Sequence, residues 1–183
     1  MSASFSSRAW RTRDVTGLPL TVDANEAWTD PERAAAAIRW MEDRGVLLVE
    51  QPLPAGDLEG ARALKKRVAM PLFADEAALV AADLDRIRGV FDGVNVKVQK
   101  AGGLRAARRM IARARALGMR VMIGCMLETS IGITAAAHLA PLADHVDLDG
   151  NLLLAEDPFR GAPVRDGRLV LPEVPGLGVE EAG

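Results

Sequence analysis

An α/β fold built on a parallel, barrel-type sheet is predicted by three observations. Short apolar segments alternate strictly with helical ones along the 183 residues. The apolar segments run on without polar alternation, as strands buried on both faces do. Charged residues end four of these segments at nearly even steps. The runs read LTVDAN, LLVEQP, PLFADE and VNVKVQK, placing Asp23, Glu50, Asp75 and Lys97 at matching points separated by 27, 25 and 22 residues. A βα unit takes roughly 30 residues, and in a parallel βα barrel the C-terminal ends of successive strands converge on one mouth. Four separate motifs thereby become one constellation: three carboxylates suited to a hard divalent cation, with an amine beside them.

The elements follow in order from about Leu18. LPLTVDA is short, apolar and β-capable. Thr29-Asp30-Pro31-Glu32 carries a cap, a proline in the first turn and an acid, the marks of a helix start. The helix PERAAAAIRWMEDRG stops at Gly45. VLLVEQP is the second strand, broken by Pro52 and Pro54. DLEGARALKKRV is the next helix and MPLFADE the third strand. ALVAADLDRIRG is read as helix and FDGVNVKVQK as strand. LRAARRMIARARALG is the most clearly amphipathic helix, with Leu104, Ala107, Met110, Ile111, Ala114 and Leu117 on one face. VMIGCMLE is the fifth strand, GITAAAHLAPLA a helix and HVDLDG the sixth strand. The Gly/Pro-rich tail reads as a terminal hairpin or loop.

Composition excludes several function classes. With 23 basic and 25 acidic residues the net charge is −2, so there is no strong field for nucleic acid or an anionic membrane. No apolar stretch approaches the ~18 residues of a membrane span. Cys125 is the sole cysteine, which precludes an intrachain disulfide and fits a reducing, cytoplasmic compartment.

Taken singly, each charged residue has a structural reading. Asp23 and Asp75 suit turns or helix caps, Glu50 an exposed loop, and Lys97 a strand edge from which its amine reaches solvent. Their coincidence at equivalent strand ends favours a shared site. In DLDG, alternation along a strand sends Asp147 and Asp149 to one side and Leu148 to the other. Two carboxylates on one side suit an ammonium group; a solvated loop before Gly150 is the competing reading. Glu128, at the end of the fifth strand, reads equally as a residue lining the mouth or as an acid at a helix start. Cys125 is expected to pack rather than react, His138 to be a core or interface residue, and Gly102-Gly103 to make a strand-to-helix turn.

Together VDANEAW, VEQPL, FADE, NVKVQKAGG, GCMLETSIGITAAAH and DLDG resemble the enolase superfamily, specifically the dipeptide epimerases of its muconate-lactonizing-enzyme subgroup, from about Leu18 to the C-terminus. The resemblance implies a partial (β/α) TIM-type barrel of about six of eight strands, with the N-terminal capping domain absent. Residues 1–17 would be an unmatched, disordered leader, and residues 18–183 the barrel domain. It implies a Mg²⁺ site, with Mn²⁺ as the alternative, held by Asp23, Glu50 and Asp75, with Lys97 as an acid/base. Asp147 and Asp149 would hold the substrate's free α-ammonium group, with Glu128 as a further substrate-lining residue.

The implied reaction is racemisation or epimerisation of an Ala-Glu-type dipeptide, or of an amino-acid derivative, by α-proton abstraction through a metal-stabilised enediolate. The expected partner is a small molecule, with no nucleic acid and no membrane. Open barrel edges make a homo-oligomer the natural assembly. Family members also carry a KxK motif that supplies the second base; here the first lysine is Lys65. A catalytically inactive truncated remnant is therefore the alternative. A cycloisomerase or o-succinylbenzoate synthase, whose substrates need no acid pair, is the further one.

Overall fold

The computed structural model describes residues 17–183, so the expected leader lies outside the described residues except for Gly17. The chain divides into two compact units, one running up to Phe73 and one from Ala74 onward.

The first unit is built on parallel strands β1 (Leu20–Asp23), β2 (Val46–Glu50) and the start of β3 (Leu72–Ala74), in that order, with α1 (Pro31–Glu42) and α2 (Leu58–Lys65) between them. Asp30 caps α1 by accepting the Glu32 N–H at 2.9 Å, and Asp57 caps α2 by accepting the Gly60 N–H at 2.8 Å. Ala34, Ala35, Ile38 and Met41 form the buried stripe of α1, and Ala61 and Leu64 that of α2. Gly45 ends the first βα unit in the left-handed region, at φ 73°.

The second unit holds parallel strands β4 (Gly93–Lys97), β5 (Arg120–Gly124) and β6 (His145–Val146), again in chain order. Val94 and Val96 of β4 and Val121 and Ile123 of β5 are fully buried. The amphipathic helix α5 (Leu104–Ala116) buries Ala107, Met110, Ile111 and Ala114 as predicted.

Four expectations need correction. The helix read into ALVAADLDRIRG is only a 3₁₀ turn, Ala81–Asp83, and the single turn α3 (Leu84–Ile87), because Asp83 spends its carboxylate on the Leu79 and Val80 N–H groups. The strand read through FDGVNVKVQK stops at Lys97 and becomes the turn α4 (Val98–Ala101). The fifth strand ends at Gly124, before Cys125. The sixth covers only His145–Val146. In the three strands, the ladder ends before the apolar run does, whatever the local β propensity.

Helix α6 (Ser130–Ala137) precedes β6. In the tail, expected as a hairpin or loop, β8 (Val164–Arg165) pairs with β9 (Arg168–Leu169) around Asp166 and Gly167, both at positive φ. Strand β7 (Phe159–Arg160) pairs with β10 (Glu180–Glu181). No helix among the described residues is long and apolar enough to cross a membrane.

Candidate active site

In the first unit, Asp23 and Glu50 are Cα partners at the C-terminal ends of β1 and β2. Asp23 is exposed and folds onto its own turn, its Oδ1 accepting the Asn25 N–H at 2.8 Å. Glu50 is 3 % exposed. The backbone around them is strained. Asn25, Glu26 and Gln51 all have positive φ, at 47°, 59° and 33°. Such conformations in non-glycine residues persist only where their surroundings over-determine them. Here the Gln51 N–H donates to Phe73 O at 2.9 Å and its side chain donates to Leu53 O at 2.7 Å. The Glu26 carboxylate accepts the Ala55 N–H at 2.6 Å.

In the second unit, Asp75 follows β3 and is 1 % exposed. Lys97 Nζ donates to its Oδ2 at 2.6 Å, and Lys100 Nζ donates to both its oxygens at 2.8 Å. Lys100 also reaches Glu76 Oε1 at 3.1 Å. Two acids and two amines thus form a nearly buried, self-neutralising cluster. Burial pushes the Asp75 carboxyl up. The hydrogen bonds from Lys100 and Lys97, with their charges, outweigh that and hold it below the usual carboxylate range. Lys100 is the member that the strand-end pattern missed, because it leaves the strand and projects from α4. The signal was a second lysine three residues after Lys97, one helical turn along.

Alternation on β4 places Asn95 and Lys97 on one side. The Asn95 side chain lies over Gly124, where any Cβ would collide with it. Gly102 and Gly103, at φ 88° and 106°, turn the chain out of α4 and into α5, as predicted for this pair.

The strand register defines a row. Lys97 pairs with Gly124, and the Asp147 N–H donates to Ile123 O at 2.9 Å, continuing the β5–β6 ladder by one step. Lys97 and Asp147 therefore stand level on one rim, two strand spacings apart, about 10 Å between backbones. Asp147 and Asp149 are exposed and Leu148 between them is buried, the alternation that DLDG predicts. Glu128 lies four residues beyond the end of β5 and turns back on its own loop, accepting the Met126 N–H at 2.9 Å and abutting Gly132.

Cys125 is half-buried. Burial, joined by the charges of Asp147 and Asp149, pushes its thiol up, which suits packing rather than nucleophilic chemistry. His138 is exposed at the end of α6, with Nε2 3.3 Å from Leu177 O, and so is not a core residue. Among the described residues no three His, Cys, Asp or Glu side chains are gathered as a metal cluster. Asp75 is instead committed to its lysines.

Comparisons with known proteins bear on the family and the fold. The family described as "Enolase C-terminal domain-like" matches residues 7–181. An L-Ala-D/L-Glu epimerase from Bacteroides thetaiotaomicron is 43 % identical over 167 residues, which is 91 % of this chain and 44 % of that protein. The solved L-Ala-D/L-Glu epimerase of Bacillus subtilis, a substrate-liganded complex, is 37 % identical with a TM-score of 0.85, over 94 % of this chain and 50 % of that one. A dipeptide epimerase from Enterococcus faecalis, complexed with Mg and L-Leu-L-Tyr, is 37 % identical with a TM-score of 0.87, over 96 % of this chain and 52 % of that one. The chain spans about half the length of the relatives it matches. Six parallel strands alternating with helices, strand-end carboxylates and a lysine at the end of β4 make it an α/β chain of the partial βα-barrel type, and it belongs to the enolase C-terminal domain-like family.

Proposed function

We propose that this chain carries the α-proton chemistry of a dipeptide epimerase, acting on a small Ala-Glu-type dipeptide with a free ammonium group. The single observation that carries this reading is the register row: Lys97 and Asp147 stand level on one rim, about 10 Å between backbones, and Asp149 follows beyond the ladder. An amine at one end can move a proton while two carboxylates at the other hold an ammonium group.

Asp23, Glu50 and Asp75 are the residues that would hold Mg²⁺. Their fit rests on the chemistry of the donor set: each is a carboxylate at the end of its own strand, the oxygen ligand type a hard cation takes. When bound, the ion supplies electrostatic neutralisation of negative charge developing on the substrate carboxylate. For Asp75 to serve, it must exchange its lysine contacts for that role. Lys97, as the neutral amine, would then take the α-proton on one face, and the ammonium so formed would return a solvent-exchanged proton to the same face. Inversion needs a second proton donor on the opposite face, so the step assigned to this chain's own residues is the one-face exchange.

The test is α-proton exchange of L-Ala-L-Glu in D₂O, followed by NMR in the presence of Mg²⁺. Exchange that vanishes in Lys97→Ala is the expected result. Folded protein that exchanges none of a panel of L,L-dipeptides defeats the reading.

A further inference from the structure

We infer that Ser130, Asn151 and Asp157 form a positioning network that sets the Asp147/Asp149 pair for an ammonium group. The inference rests on the proposed function, because that reading makes the acid pair a binding element.

The pair sits on irregular backbone. Strand β6 ends at Val146, and a 3₁₀ turn, Gly150–Leu153, begins directly after Asp149. Strand pairing therefore places Asp147 but not Asp149, whose direction depends on what anchors the turn. Two anchors flank it. Gly150 packs against the Met126 carbonyl and Cys125 Sγ, with no room for a Cβ. Asn151 Nδ2 donates to Ser130 Oγ at 3.2 Å. Ser130 in turn donates both its N–H and its Oγ–H to Asp157 Oδ2, each at 2.7 Å, while Asp157 Oδ1 accepts the Phe159 N–H at 3.0 Å.

The direction of this relay is determined by proton count. A serine hydroxyl has one proton, and here it goes to Asp157, leaving Oγ only its acceptor role toward Asn151. Asn151 can satisfy that acceptor in one amide orientation alone. Its Oδ1 is buried with no hydrogen-bond partner among the described residues. The cost of that orphaned oxygen is tolerated while the amide holds the turn. Asp157 is anchored because its negative charge lies at the N-terminus of the eight-residue helix α6. The segment behind it is fixed as well, since the Ala162 N–H donates to the buried Thr134 Oγ1 at 2.8 Å. Asp147 is thus set by strand pairing and Asp149 through a rigid helix start.

The experiment measures binding of L-Ala-L-Glu and of N-acetyl-L-Ala-L-Glu to the full chain with Mg²⁺, by calorimetry. Unaltered protein is compared with Asn151→Ala, Ser130→Ala, Ser130→Thr and Asp149→Asn, each checked for folding by circular dichroism. Asn151→Ala and Ser130→Ala are expected to cut the preference for the free-amine ligand roughly tenfold, the scale of one lost hydrogen bond. Binding of the acetylated ligand should hold steady, and Ser130→Thr should restore the preference. Equal weakening of both ligands, or an unchanged preference, overturns the network. If Asp149→Asn abolishes the preference while the two alanine variants keep it, the network fails alone. If Asp149→Asn changes nothing, or the unaltered chain shows no preference, the reading of the acid pair fails and takes the network with it.

Discussion

Asp23 and Asp75 both follow short parallel strands, yet the two units hold them in opposite ways. Asp23 is exposed and keeps its hydration, with a turn N–H as its local partner. Asp75 is buried, and a buried carboxylate survives as an anion only when paired. Lys97 and Lys100 supply that pairing. The lesson is that equal sequence position does not mean equal readiness. The first unit's acid is available to a cation at little cost, whereas the second unit's acid must give up two ammonium partners. Stored backbone strain follows a different division. Three positive-φ residues other than glycine crowd the strand ends of the first unit, and the Asp75 cluster has none.

Substitutions can break this contrast or sharpen it. The largest effect is expected at Lys97. Replacement by Ala should lower α-proton exchange by about 10³-fold, within the range of a lost general base, as read by NMR in D₂O. Asp75→Asn comes next. It removes the carboxylate that Lys97 and Lys100 share, leaving Lys100 with Glu76, and should destabilise the fold by about 3 kcal/mol, read by denaturant melts. The pH dependence has a definite sign. The Asp75 carboxyl is held below its unfolded value, so its contribution is complete above that value and is lost as pH falls through the folded one. The advantage of the unaltered chain over Asp75→Asn should therefore be intact at pH 7 and shrink only below about pH 4. A gap that closes near neutrality would contradict the ion-paired state.

Asp23→Asn should behave in the reverse manner. Stability should change by less than about 0.5 kcal/mol, as for exposed sites generally, while Mg²⁺ affinity measured by calorimetry falls at least about tenfold through loss of a charged ligand. Loss of stability without loss of affinity would make Asp23 a turn residue only. The smallest effect belongs to the exposed pair Arg67–Glu32, at 2.7 Å. Glu32→Ala should cost under about 1 kcal/mol, and less in high salt.

Periodicity and punctuation carried much of this architecture. Apolar runs between helical ones marked the strands, and Asp30 and Gly45 marked the two ends of the first helical segment. The same logic located Asp23, Glu50, Asp75 and Lys97, because strand ends recur at a fixed chemical place. It failed where an element is defined by its neighbours. HVDLDG looks like a strand, but only His145 and Val146 belong to β6 before the chain leaves the sheet. Val98 and Lys100 look like strand residues but form a helical turn.

What the sequence determined by itself was the order of elements and the places of Asp23, Glu50, Asp75 and Lys97 at strand ends, since both follow from period and spacing along one chain. What only the tertiary structure decided was partnership. That Lys100 shares Asp75 with Lys97, that Glu128 serves its own loop, and that Asn151 reaches Ser130 and through it Asp157 are contacts between residues 2 to 27 positions apart. Such contacts depend on burial and on the direction of individual hydrogen bonds, and no periodicity along the chain encodes either.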